Sequence, residues 1–295
     1  MRATTLKSLA LATALLASTQ AVWADTICEG AELVKPGKLV IAHDGNLPGT
    51  GLQDGKLIGI DGEILQLVAS KLGLEVEQQL MEWSGTVESV RSRRVDLMAG
   101  MMGWTEARVK VLSMTDPAYY SGLLITRRQG DDYATLEDLK GVRIGSPQGY
   151  AWNEELEKLT DDLRLYDTQD LAIRDLTAGR VDVLFLDPPS IQYIGMKQPE
   201  LKIESIPIDV PFDPDMPVVT GRYQVVFGMS LEAPKLVQCV NEALAEIWAE
   251  CDNARIAASY GLEDRFWFTP LENNLRRGLD RATDWTFPAL GATCG

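Results

Sequence analysis

Two short runs, Arg94-Val95-Asp96-Leu97 and Arg180-Val181-Asp182-Val183, constrain this chain most, because each reads as a strand that follows a short helix. Their openings also correspond: Lys38-Leu39-Val40-Ile41-Ala42 and Gly141-Val142-Arg143-Ile144-Gly145 are strand patterns leading into glycine-containing turns. Such runs are short, and common βα units match by chance, so the alternation between them matters more. Ile64, Leu65, Val68 and Leu72 fall on one helical face before Gly73, and Leu74, Val76 and Leu80 then follow strand parity. The second half predicts a helix around Trp152 to Leu159, a strand at Leu163 to Tyr166, a helix from Asp170 to Ala178 and a strand at Val181 to Leu186. Alternation of this kind predicts an α/β chain with two Rossmann-like lobes built on parallel sheets.

After a Pro-rich stretch from Pro207 to Pro217 come a strand at Tyr223 to Phe227 and a long amphipathic helix marked by Leu236, Val237, Val240, Leu244, Ile247 and Trp248. Two crossings between lobes are implied, near Leu124 to Thr126 and near Gly221 to Val225. Paired crossings make a hinge, and a hinge makes a closing cleft.

Arg2 and Lys7, an apolar run from Leu9 to Ala17, and small residues around Val22-Trp23-Ala24 predict a signal peptide over residues 1–24, cleaved after Ala24. The run is too short to span a bilayer, so export to the periplasm is expected. Losing Arg2 and Lys7 takes the formal charge from −15 to −17. That acidity disfavours nucleic acid and anionic membrane surfaces. Four cysteines in an exported chain favour two disulfides over free thiols. Spacing fixes no pairing, and of the three connectivities Cys239–Cys251 with Cys28–Cys294 is the favoured expectation. No CxxC pair occurs and His43 is the only histidine, so neither a metal nor another cofactor is expected.

The segment from Val95 to Leu124 carries the chemistry. A strand run ends at Gly100 to Gly103, and Thr105-Glu106 can cap a helical turn bearing Arg108. A guanidinium at a strand's carboxyl end, within an apolar and aromatic surround, suits gripping a carboxylate.

The motifs LVIAHDGN at 39–46, GKLIGIDGEI at 55–64, RRVDLMAGMMGWTEAR at 93–108, DPAYYSG at 116–122, LEDLKGVRIGSPQG at 136–149 and AGRVDVLFLD at 178–187 stand in order along the chain. In that order they resemble the type II periplasmic solute-binding proteins (family 3) that serve polar amino acid ABC importers. The resemblance implies a two-lobed Venus-flytrap with a two-strand hinge. Lobe one would comprise 25–125, lobe two 126–222, and 223–295 would return to lobe one and carry a C-terminal extension.

The resemblance further implies that Arg108 binds a ligand carboxylate, that Asp187 holds an amino group, and that Gly149 and Tyr150 lie in a loop opening a helix, where backbone N–H groups help hold the carboxylate. The family's aromatic pair is reduced to Trp83, because Leu47 stands at the other position. Gly103 and Tyr150 replace a serine or threonine and a threonine, removing two hydroxyl contacts. With Met101 nearby, these departures imply a roomier and more apolar pocket. Asp44 and Asp61 resemble structural acids of the family.

The expected function is a monomeric receptor that encloses an amino acid or amino-acid-like zwitterion or carboxylate and presents it to an ABC permease. Two alternatives remain. A periplasmic cyclohexadienyl dehydratase-like enzyme would need a glutamate shortly after the second repeat strand, where Asp187-Pro188-Pro189-Ser190 stands instead. A binding subunit for a sensor or oxidoreductase would keep the cleft and change only the docking partner.

Overall fold

The computed structural model describes residues 28–208, 210–292 and 294. The leader expected over 1–24 lies outside the described residues. The first lobe contains β1 (Lys38–His43), the hairpin β2 (Gly51–Gln53) and β3 (Lys56–Ile58), α1 (Ile60–Lys71), β4 (Glu75–Leu80), α2 (Trp83–Arg91), β5 (Leu97–Ala99), α3 (Glu106–Val109) and β6 (Ser113–Met114). After β7 (Tyr119–Gly122) the second lobe holds β8 (Leu124–Arg128), β9 (Ile144–Pro147), α4 (Asn153–Leu156), β10 (Leu163–Tyr166), α5 (Gln169–Thr177), β11 (Val183–Leu184), α6 (Pro188–Lys197) and β12 (Ile203–Pro207). The chain returns through β13 (Arg222–Val225) to β14 (Gly228–Met229), α7 (Pro234–Ala249) and α8 (Asp252–Ala258).

Two five-stranded sheets result, in the orders β4-β1-β5-β14-β6 and β10-β9-β11-β8-β12. Leu39 and Ile41 of β1 pack with Ile60, Ile64 and Val68 of α1 on one face, while Val40 and Ala42 pack with Val90 of α2 on the other. A strand covered on both faces needs a continuous apolar run, which β1 has.

The repeated Arg-Val-Asp run has a shared physical cause. Asp96 N–H donates to the Val40 carbonyl at 2.8 Å, and its carboxylate accepts from Val40 N–H at 2.8 Å. In the second lobe Asp182 N–H donates to the Arg143 carbonyl at 2.8 Å, and its carboxylate accepts from Arg143 N–H at 3.3 Å. Each aspartate thus clamps its strand to a parallel neighbour, β5 to β1 and β11 to β9.

The sheets are mixed, where parallel ones were expected. β14 runs antiparallel to β5 and β6, and β8 runs antiparallel to β11 and β12. These are strands that enter a lobe directly from the hinge, so no crossover helix sets their direction. The hinge itself is the antiparallel pair β7–β13. The first crossing therefore lies at Tyr119–Gly122, ahead of the expected 124–126, since Leu124 and Ile125 already pair in the second sheet. The helix expected over 152–159 is also shorter, spanning only Asn153–Leu156.

The disulfides correct the sequence expectation: Cys28 pairs with Cys239 and Cys251 with Cys294. Cys239 lies within α7 and Cys251 just past its end, a separation of about 15–18 Å at 1.5 Å per residue, far beyond the roughly 4.4–6.8 Å between bridged Cα atoms. The N-terminal segment instead lies along α7, where the Glu32 carboxylate accepts from Leu236 N–H at 3.0 Å. Peptide mapping without reduction should recover the linked pairs 28–239 and 251–294; a 239–251 link would contradict this fold.

Candidate functional site

The Thr-Glu-Ala-Arg turn forms as a single helical turn because the Thr105 hydroxyl caps it, accepting from Arg108 N–H at 3.2 Å. Arg108 is half-buried, and burial lowers its pKa below the ordinary arginine value. Its Nη1 donates to the Gly103 carbonyl at 2.5 Å. Among the described residues no carboxylate pairs with it.

Residues 102–104 lie along the return strand. Trp104 N–H donates to the Gln224 carbonyl at 2.8 Å, and Val226 N–H to the Met102 carbonyl at 2.9 Å. A Cβ on Gly103 would stand 3.2 Å from the Tyr223 ring and 3.9 Å from Arg108 Nη1. The absence of a side chain at Gly103 therefore makes room for Tyr223.

The pair β7–β13 has two faces, because strand side chains alternate. Tyr119, Ser121, Tyr223 and Val225 share one, with Tyr223 directly opposite Ser121. Tyr223 was not singled out in the sequence as a site residue. Its signal was the alternation of Tyr119-Tyr120-Ser121 against Arg222-Tyr223-Gln224, which acquires meaning only once the register is known.

Asp187, from the second lobe, caps α6 by accepting from Ser190 N–H at 3.1 Å. Burial raises its pKa, and among the described residues no cation pairs with it. Tyr150 and Tyr223 are both pushed up, first by burial and then by the charge of Asp187. The Tyr223 ring thus stands beside Gly103, whose carbonyl Arg108 binds, and lies within electrostatic reach of Asp187.

Tyr150 packs against Trp152 in a tilted pair with ring centroids 4.4 Å apart. Gly149 is exposed, in a turn with φ +76°, and nothing lies near its Cβ position. Gly149 and Tyr150 lie in the loop that precedes α4, which starts at Asn153 and runs for one turn only.

Trp83 opens α2 and leans over Gly100, whose Cβ position lies 3.0 Å from the indole and 3.2 Å from the Asp44 carboxylate. With φ +146°, Gly100 has both a conformation and a contact that require glycine. Met101 packs on Gly49, and Leu47, 36% exposed, packs on Gly51 in the loop after β1. Beneath this loop Asp61 is fully buried and accepts from Gly100 N–H at 3.0 Å, Met101 N–H at 2.7 Å and the Tyr119 hydroxyl at 3.1 Å.

Burial pushes Asp61 up to about 6, against the lowering effect of those bonds. A carboxyl whose folded pKa exceeds its unfolded one favours folding more as pH falls, here between about 6 and 4. Wild type should therefore gain on the order of 2–3 kcal/mol of unfolding free energy relative to Asp61→Asn as pH drops from 7 to 4. Urea midpoints at several pH values measure this, and parallel profiles would refute it.

A concavity of about 550 Å³ between the β2–β3 hairpin, α1 and α8 includes none of these residues. Among the described residues no cluster of three or more potential ligands could hold a metal ion.

Two lobes on mixed sheets, bridged by a pair of antiparallel strands, have the architecture of a two-lobed solute-binding protein. Residues 39–263 match the bacterial extracellular solute-binding proteins, family 3, and the chain belongs to that family. It is 24% identical over 220 residues to a probable amino-acid-binding protein, YxeM, of Bacillus subtilis, covering 72% of this chain and 79% of that one. It is 26% identical to the histidine-binding periplasmic protein of Escherichia coli, over 70% of this chain and 80% of the relative. The L-cystine-binding protein TcyJ of Escherichia coli is 30% identical over 51% of this chain and 59% of its own. The fold is shared with the L-cystine solute receptor of Neisseria gonorrhoeae in its unliganded open conformation, at a TM-score of 0.67 and 19% identity, covering 78% of this chain and 96% of that one.

Proposed function

We propose that this chain is a periplasmic receptor that captures an amino acid or amino-acid-like zwitterion between its lobes and delivers it to an ABC permease. The observation that carries this reading is the pair of charges flanking Tyr223: a half-buried guanidinium with no carboxylate partner, and a partly buried carboxylate with no cation partner, among the described residues. Leaving both desolvated without a counter-charge costs free energy that a ligand carboxylate and amine would recover. Arg108, Gly103 and Met101 would line the first lobe's side with Trp83 and Leu47, and Asp187, Tyr150 and Gly149 the second lobe's. Names of relatives support an amino acid, since those proteins are described as binding cystine, histidine or amino acids generally. Export with cleavage after Ala24, a monomeric state and binding without catalysis complete the proposal.

Thermal unfolding of residues 25–295 against a panel of amino acids, betaines, cyclic zwitterions and aromatic carboxylates tests it. A ligand at a hundredfold excess over Kd should add about 2.7 kcal/mol of stability. No shift across the panel, or turnover of prephenate or arogenate, would overturn the reading.

A further inference from the structure

The family match ends at residue 263, yet the chain continues into a segment that covers the other face of the hinge. Tyr120, Gly122, Arg222 and Gln224 form that face. The Tyr120 hydroxyl donates to the Pro288 carbonyl at 2.6 Å, and the Phe266 ring lies 2.9 Å from where a Cβ on Gly122 would stand.

At the centre is Arg276, which is fully buried. Its Nη1 donates to the Thr115 carbonyl at 2.9 Å and to Gln224 Oε1 at 3.1 Å. Its Nη2 donates to the Met114 carbonyl at 3.2 Å and to Asp280 Oδ2 at 2.6 Å. The guanidinium carbon lies 5.8 Å from the centre of the Trp104 ring, and Trp104 Nε1 donates to Asp280 at 3.2 Å.

Anchoring a tail does not require a buried charge, which is expensive to desolvate and which apolar packing replaces at little or no loss. A planar fork does what an apolar anchor cannot: it holds several acceptors from different strands in one fixed arrangement. Here those acceptors belong to β6, to the residue following it, and to β13, and of its two aromatic neighbours, Trp285 at 5.4 Å and Trp104 at 5.8 Å, the second joins Gly103 to Thr105. Gln224 is held twice, through its side chain by Arg276 and through its carbonyl by Trp104 N–H. In front of that junction stand Arg108, bonded to Gly103, and Tyr223, packed against it.

We propose that Arg276 is a positioning residue for ligand capture: from behind the hinge it locks the Trp104 turn to Gln224, and so fixes Arg108 relative to Tyr223. This rests on the binding role proposed for Arg108.

Amide hydrogen exchange of the ligand-free protein, wild type against Arg276→Met, tests the lock without needing a ligand. Exchange at Trp104 and Val226 should quicken at least about tenfold, while the α5 amides of the second lobe hold their wild-type rates. Gln224→Met is the second variant, because it removes only one of Arg276's acceptors and spares the pair with Asp280; it should quicken the same two amides. Faster exchange confined to residues 264–294 in both variants would mean tail anchoring alone and overturn the proposal. With any ligand the panel yields, Kd measured well below the unfolding midpoint should rise about tenfold in both variants, and should not rise further when Arg108→Ala is already present. Silence of the panel would defeat the binding role of Arg108, while the exchange rates would still decide whether the lock exists.

Discussion

Arg108→Ala should weaken binding of the panel's best carboxylate ligand by two to three and a half decades, the equivalent of about 3–5 kcal/mol for removing one partner of a desolvated charge pair. Several features concentrate the loss in this one side chain. The guanidinium is half-buried, so water screens it less than an exposed one, and burial lowers its pKa, though an arginine keeps its charge. Thr105 fixes the turn that carries it, and Gly103 takes up one Nη1 hydrogen, leaving the rest of the fork for a carboxylate. Position 103 carries no side chain and the Tyr223 ring stands beside it, so fewer neighbouring groups share the load. Arg108→Lys should recover only part of the affinity, because an ammonium cannot make the parallel two-bond contact. Isothermal titration of both variants measures this, and a change below tenfold for alanine would remove Arg108 from the site.

Features set by local sequence were legible before the fold was known. The cap at Thr105 and the position of Arg108 lie within one turn, and the repeated Arg-Val-Asp run was visible as a run, though the clamps its aspartates make to Val40 and Arg143 were not. Features that depend on where distant segments meet were not legible. The true disulfide partners follow from the N-terminal segment lying along α7 and the C-terminus returning to its end. Tyr223 faces the site only because β13 registers it opposite Ser121. Antiparallel strands entering from the hinge were hidden for a related reason: helix and strand alternation reports neighbours in sequence, whereas hinge strands pair across the excursion into the other lobe. The helix after Gly149 is shorter than the expected 152–159, ending at Leu156.

Asp187 gives the second large effect, and one that depends on the ligand. Asp187→Asn keeps an oxygen able to accept from Ser190 N–H, so α6 retains its cap, while the negative charge is removed. Amine-bearing ligands should then lose about 3–5 kcal/mol of binding, or two to three and a half decades in Kd, whereas amine-free acids held by Arg108 alone should bind as before or more tightly. The pH dependence runs the same way. Burial raises the Asp187 pKa above the ordinary carboxylate range, so the free receptor loses this charge at a higher pH than an exposed aspartate would. Affinity for amines should therefore fade as pH falls through that raised pKa and be fully present above it, and the dependence should vanish in Asp187→Asn. Titrating one zwitterion and its amine-free analogue against both proteins at several pH values separates the two contributions. Equal losses for both ligands would show that the substitution disturbs the lobe rather than an amine contact, and Asp187 would then be a helix cap alone.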